Sequence, residues 1–167
     1  MNRASRLASC VFPALMSALG LSSNSVAQTG PLTFDQGVAC KDFAITVSFM
    51  GGNQVYREFL DREGKPIRWL SAGKGTALTF TNMSTGEQLT VTTGGSVTHG
   101  VYNPDGTQTQ TGTGHNVWIF YPSDVPAGPS TILYLGKVVV QFNPSDGFAK
   151  LLAASGQRVD ICAALSN

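Results

Sequence analysis

The stretch Thr131-Ile-Leu-Tyr-Leu-Gly-Lys-Val-Val-Val-Gln-Phe142 is the strongest indication of the fold in this chain. It is the longest strand pattern in the sequence, and Gly136 in its middle predicts a bend. Asn143-Pro-Ser-Asp-Gly147 follows at once and predicts a tight turn. Such residues combine a fixed φ, a local side-chain hydrogen bond and freedom to take a positive φ. We therefore expect a long, bent strand that ends in a turn.

Shorter strand patterns fill the rest of the chain. Residues 43–49 alternate between apolar and small polar side chains, as in a strand with one buried face. Asn103-Pro-Asp-Gly106 predicts a turn between two alternating runs, and 116–121, apolar at 117–120, predict a central strand covered on both faces. The last two predicted strands are 148–153 and 158–163. Nine to eleven short strands at a spacing of roughly 8–12 residues predict an antiparallel β-sandwich, with a meandering closed β-barrel as the alternative.

The first residues have the layout of a secretory signal peptide. Arg3 and Arg6 give a positive start, residues 7–21 form an apolar run without charge, and Ser25-Val-Ala27 supplies the small residues of a cleavage site. The apolar run is shorter than the roughly 20 residues of a spanning helix, so we do not expect a membrane-spanning protein. We expect a cleaved signal at 1–27, an extended lead-in at 28–39, and a single secreted β domain at 40–167.

The cysteines and the charges of the mature chain restrict its chemistry. Removal of the signal leaves only Cys40 and Cys162, and we expect them to form a disulfide that encloses the domain. Nine basic and ten acidic side chains remain, so no excess of positive charge predicts a nucleic-acid partner. Neither a metal site nor a cofactor is expected, since His99 and His115 have no further ligands beside them in the sequence.

His115 and the residues of the following loop could form a catalytic site. His115 with Asp124, and with Ser123 as a hydroxyl donor, would form a hydrolase site if the proline-rich loop after residue 121 folded back. No Gly-x-Ser-x-Gly pattern marks the serine as a nucleophile. We assign no catalytic residue, and we keep a small extracellular hydrolase as an alternative hypothesis.

Aromatic residues provide the candidate binding site. Aromatic rings stack on the apolar faces of sugars, although rings inside strand patterns more often belong to a core. The candidate binding residues are Trp118, His115 and Tyr121, and carbohydrate or a cell-surface component is the candidate partner. The tryptophans and tyrosines of the chain are Trp69, Trp118, Tyr56, Tyr102, Tyr121 and Tyr134.

Threonine is concentrated in one of the predicted strands. Alternate positions from Thr107 to Thr113 are all threonine, so their side chains share one face. β-Branched threonine suits a solvent-facing sheet surface, which we prefer to an ice-binding array. His99 has the same parity as Val97 and Val101, so these three side chains should also share a face.

The chain resembles a group of small secreted proteins of high-GC Gram-positive bacteria. The resemblance rests on Gly114-His-Asn-Val117, the segment 122–129, the turn at 103–106 and Asp160-Ile-Cys162. It implies an exported single-domain β protein with a cysteine near each end, and it supplies no catalytic residue. Our leading hypothesis is therefore a secreted, non-catalytic β domain that acts by surface recognition or in a structural role.

Overall fold

A computed structural model describes residues 30–92 and 95–166 of the chain. The predicted signal peptide at 1–27 lies outside these residues. Ten strands and one short helix follow in order: β1 (Leu32–Phe34), β2 (Ile45–Met50), β3 (Asn53–Leu60), β4 (Pro66–Lys74), β5 (Ala77–Asn82), β6 (Gln88–Val91), β7 (Ser96–Tyr102), β8 (Gln108–Phe120), β9 (Ser130–Phe142), β10 (Ala149–Asp160) and α1 (Ile161–Ala164).

The strands form two antiparallel sheets. The smaller sheet has the order β1-β2-β5-β6, and the larger has the order β10-β9-β8-β7-β4-β3. Neighbouring strands in both sheets pair antiparallel. The predicted antiparallel sandwich is confirmed. The barrel alternative is wrong, since β3 and β10 remain the two edges of the larger sheet.

The larger sheet has longer strands than the sequence predicted. The predicted strands at 107–113 and 116–121 are one continuous strand, β8, that passes through Gly114. Likewise β10 continues through Gly156, where the sequence pattern indicated a break. Within the predicted lead-in, residues 32–34 form β1 and pair with β2.

Glycines mark a line across the larger sheet where its strands bend. In register, Gly114 pairs with Gly136 and Gly136 pairs with Gly156, on three adjacent strands. All three have positive φ, with values of 89°, 147° and 94°. A Cβ on Gly136 would meet the carbonyl oxygen of Ser155, so the neighbouring backbone also demands glycine there. We call these three residues the glycine row.

The glycine row divides the larger sheet into two halves. The covered half comprises residues 115–120, 130–135 and 157–160, and its outer face packs on the smaller sheet. The open half comprises β3, β4, β7 and residues 108–113, 137–142 and 149–155. The sandwich core between the two sheets includes Ile119 and Leu133 of the covered half, with Ile45 and Phe80 of the smaller sheet.

The inner face of the larger sheet folds on itself at the glycine row. Phe120 and Phe142 lie in one buried cluster, although their positions on β8 and β9 are twelve residue pairs apart in the register. Twelve residues of straight strand span about 40 Å. Asp124 nevertheless binds both Tyr121, just after β8, and Ala149, which pairs with Phe142. The sheet must therefore bend to bring its two ends together around a second core, which also holds Trp118, Tyr134, Val138, Val140 and Ala149.

The predicted disulfide is present and links the two ends of the domain. Cys40 and Cys162 are bonded, with their Cα atoms 5.6 Å apart. Cys40 lies in the loop between β1 and β2, and Cys162 lies in α1 after the last strand. The bond therefore joins the smaller sheet to the end of the larger one, beside fully buried Ala39.

Reduction of the disulfide should destabilise the domain strongly. The bond closes a loop with a sequence separation of 122 residues, for which the chain-entropy model gives about 5 kcal/mol of stabilisation. We expect the mass of the mature protein to rise by two hydrogens on reduction, and the melting temperature to fall. An unchanged mass would show that the thiols are free in solution.

Substitution of Gly136 tests the bend. Gly136→Ala should cost about 3 kcal/mol or more, since it adds strain at positive φ to a clash with backbone. Gly64→Ala is the matched control: Gly64 also has positive φ, but a Cβ there has nothing within 4 Å. Chemical denaturation measures the free energy of unfolding of both variants. Equal losses of this free energy in the two variants would contradict the bend.

Candidate functional site

A cleft of about 170 Å³ opens beside the glycine row, between the two sheets. Its position follows from the strand register. The pairing of β7 with β8 ends at Ser96 and Gly114, so residues 115–119 of β8 have no β7 partner and form one wall. Residues of β2, β3, β4, β5 and β7 line the rest of the cleft.

The cleft has one apolar side and one polar side. The apolar side continues the sandwich core and includes Phe80 and Ile119. The polar side carries amide, hydroxyl, imidazole and indole groups, and none of the described residues that line the cleft is Asp, Glu, Lys or Arg. The polar side chains used below are those of Gln54, Ser71, Thr98, His115, Asn116 and Trp118.

Asn116 has a hydrogen-bond donor without a partner. Its Nδ2 is buried and makes no hydrogen bond. Its Oδ1 accepts a long bond of 3.4 Å from the Thr98 hydroxyl. The side chain lies over Gly112, where a Cβ would stand 2.6 Å from Asn116 Oδ1. An unsatisfied buried donor costs about 1–3 kcal/mol, so this arrangement favours a ligand that supplies an acceptor.

His115 offers the complementary group. Its Nδ1 lies 3.2 Å from the carbonyl oxygen of Thr92. A carbonyl oxygen only accepts, so Nδ1 carries the proton in the neutral ring and Nε2 is left as an acceptor. The cleft therefore combines a donor on Asn116, an acceptor on His115 and hydroxyls that do both.

Two of the three predicted binding residues line this cleft. His115 and Trp118 are on its walls, and Trp118 is 6% exposed and stacks on Phe120 with ring centroids 6.2 Å apart. Trp118 thus presents little more than an edge. Tyr121 lies elsewhere, packed against the sandwich core.

The structure does not assemble the hydrolase arrangement. Both carboxylate oxygens of Asp124 are engaged by backbone: Oδ2 accepts from Tyr121 N at 2.6 Å and Oδ1 from Ala149 N at 2.9 Å. His115 is bonded to Thr92 instead. Asp124 joins the end of β8 to the start of β10. These two hydrogen bonds stabilise the bent conformation of the larger sheet. Its geometry is that of a structural residue.

The other aromatic rings divide between core and surface. Trp69, Trp118 and Tyr134 are buried, while Tyr56 is 42% exposed. Tyr56 and Tyr102 both donate to Glu58 Oε1, at 3.5 and 2.7 Å. Burial, followed by the bond to Glu58, raises the pKa of Tyr102 above its usual value, and burial also raises the pKa of Tyr56. Both phenols therefore act as donors at neutral pH.

Sequence reasoning missed Asn116, Ser71, Thr98 and Gln54. Asn116 had a readable signal: it has the same parity as Trp118 and Phe120, so it is a lone amide on the buried face of an apolar strand. The other three come from different strands, and only the register brings them to one place.

Comparison with known proteins identifies no relative: no protein-family model, no curated protein and no solved structure matches the chain. Within residues 30–92 and 95–166, no helix has the length and apolar character needed to cross a bilayer. The same residues hold no group of three or more His, Cys, Asp or Glu side chains placed to bind a metal ion.

Asp124→Ala tests the structural role of Asp124. The substitution removes two hydrogen bonds to a carboxylate and leaves two backbone amides without their partner, so the free energy of unfolding should fall by about 3 kcal/mol. Asp105→Ala is the control, because Asp105 bonds only within its own exposed turn, to Thr107. A loss no larger than that of Asp105→Ala in urea denaturation would contradict the role.

Proposed function

We propose that this chain is a secreted, non-catalytic recognition domain whose cleft binds one uncharged ring of a saccharide. The observation that carries the proposal is the unpartnered donor of Asn116 in a cleft without charged side chains. Sugar hydroxyls both donate and accept, which matches the mixture of amide, hydroxyl and imidazole groups around it.

The size of the cleft limits the ligand. Its 170 Å³ is below the range of about 300–1,000 Å³ that is usual for drug-sized ligands. It suits a single sugar unit, held with its apolar face against the half-buried Leu78 and Val117 and its hydroxyls toward Asn116 and His115. Charged ligands are disfavoured, since no side chain in the cleft neutralises them.

Secretion is part of the proposal and rests on two observations. The first 27 residues have the layout of a signal peptide. The disulfide suits an oxidising environment, where such bonds persist. No observation favours the hydrolase, because the groups that it needs have other partners.

Asn116→Ala separates ligand binding from stability. The variant should lose roughly tenfold or more in affinity for a neutral glycan, the effect of one buried hydrogen bond. Its free energy of unfolding should not fall, because the relief of an unsatisfied buried donor, about 1–3 kcal/mol, offsets the loss of the long bond from Thr98. A neutral glycan array would identify the ligand, and titration calorimetry with the best glycan would measure both affinities.

Asn103→Ala is the matched control. Its Nδ2 bonds to the hydroxyls of Thr107 and Thr109, so this variant should be destabilised while binding is unchanged. The proposal fails if no neutral glycan binds, or if Asn103→Ala and Asn116→Ala weaken binding equally.

A further inference from the structure

The outer face of the open half is a broad surface that no other layer covers within residues 30–92 and 95–166. Three consecutive rows of paired residues cross all six strands of the larger sheet there. At a strand spacing of about 4.8 Å and two residues between rows, these rows span about 24 by 14 Å. We call this surface the outer patch; its rows run from Val55 to Ser155, from Arg57 to Ala153 and from Phe59 to Lys150.

The outer patch concentrates positive charge. Four of its eighteen described positions are basic, and none is Asp or Glu. All four basic side chains are exposed, as is that of His99 at the centre. The mature chain has one more acidic than basic side chain. Its net charge therefore gives no sign that basic side chains are concentrated on this one face. The basic residues are Arg57, Arg68, Lys137 and Lys150.

Short apolar and polar side chains lie between the charges. Val55, Val97 and Val101 are 57%, 41% and 46% exposed. Thr109, Thr111 and Thr113 of β8 pair in register with β7 residues that face the same side. The outer patch therefore presents cations, hydroxyls and small methyl-bearing side chains on one continuous sheet surface.

We infer that the outer patch binds an acidic polysaccharide, a chain of sugars that bears carboxylate or sulfate groups. Arg and Lys form charge-assisted hydrogen bonds with such anions. Threonine hydroxyls suit the neutral hydroxyls between them, and valine methyls suit the apolar faces of the rings. The cations are spread over most of the patch, which matches charges repeated along a polymer.

Two other occupants fit less well. A second copy of the chain would bring four cations against four cations, which is repulsive. An anionic bilayer is flat, whereas neighbouring strands rotate by about 20° each and so by about 100° over five steps. The most exposed apolar side chains of the patch are also valines, not the Trp, Phe and Leu of interfacial membrane segments. A flexible polymer can follow the twisted surface.

The test compares two variants of equal net charge. The outer-patch variant is R57Q/R68Q/K137Q/K150Q, and the matched control is K41Q/R62Q/K65Q/R158Q, which removes four basic side chains elsewhere. Binding to alginate, which bears carboxylates, and to heparin, which bears sulfates, is measured by titration calorimetry at low and at 0.15 M salt. Vesicles of phosphatidylglycerol and phosphatidylcholine form a third arm.

The inference predicts a clear difference between these variants. The outer-patch variant should bind at least one polysaccharide about 30-fold more weakly than the wild type, as expected when four exposed ion pairs are lost. The control and R57K/R68K, which keeps the charge, should stay close to the wild type, and salt should weaken binding. Equal losses in the two fourfold variants, binding to vesicles alone, or no binding to either polysaccharide would each overturn the inference. Circular dichroism confirms that each variant is folded.

Discussion

The architecture depends on one backbone constraint: three neighbouring strands bend at the same level because each has a glycine there. Gly114, Gly136 and Gly156 are paired across β8, β9 and β10 and all have positive φ. A side chain on Gly136 or Gly156 would meet a carbonyl oxygen of the adjacent strand, and one on Gly114 would meet that of Gly95, just before β7. The strands cannot bend one at a time, since a bent strand remains in register with its neighbour only if that neighbour bends as well. The glycine row therefore acts as a unit, and it gives the larger sheet two cores, one on each face.

Part of this arrangement was predictable from the sequence. The alternating patterns and turn residues predicted the strand-rich sandwich, the expected secretion of the chain predicted the disulfide, and Gly136 predicted a bend in β9. The glycine row itself was not predictable, because it exists only in the register between strands. In the sequence, Gly114 and Gly156 resemble ordinary strand breaks, so β8 and β10 were each expected as two short strands. Residues that look like interruptions locally continue the strand once their neighbours supply the matching glycines.

The candidate site shows a similar division. His115 and Trp118 were predicted from their chemistry, and they do line one cleft. Tyr121 was predicted on the same grounds but contributes to the core. Asp124 was considered for catalysis, whereas its buried carboxylate binds two backbone amides across the folded sheet. For His115 and Trp118 the sequence lacks the place where β7 stops pairing, and for Asp124 it lacks the approach of the start of β10 to the end of β8.

The bend also explains why two unlike surfaces occur on one small domain. The smaller sheet has four strands and covers only the half of the larger sheet beyond the glycine row. The open half therefore keeps its outer face in solvent, with basic side chains and valines that no second layer buries. Along the bend itself, the end of the β7 pairing leaves a neutral, polar cleft between the sheets. The charge-free cleft and the basic outer patch are thus separate consequences of the same three glycines, which is why an almost neutral chain can carry a strongly basic face.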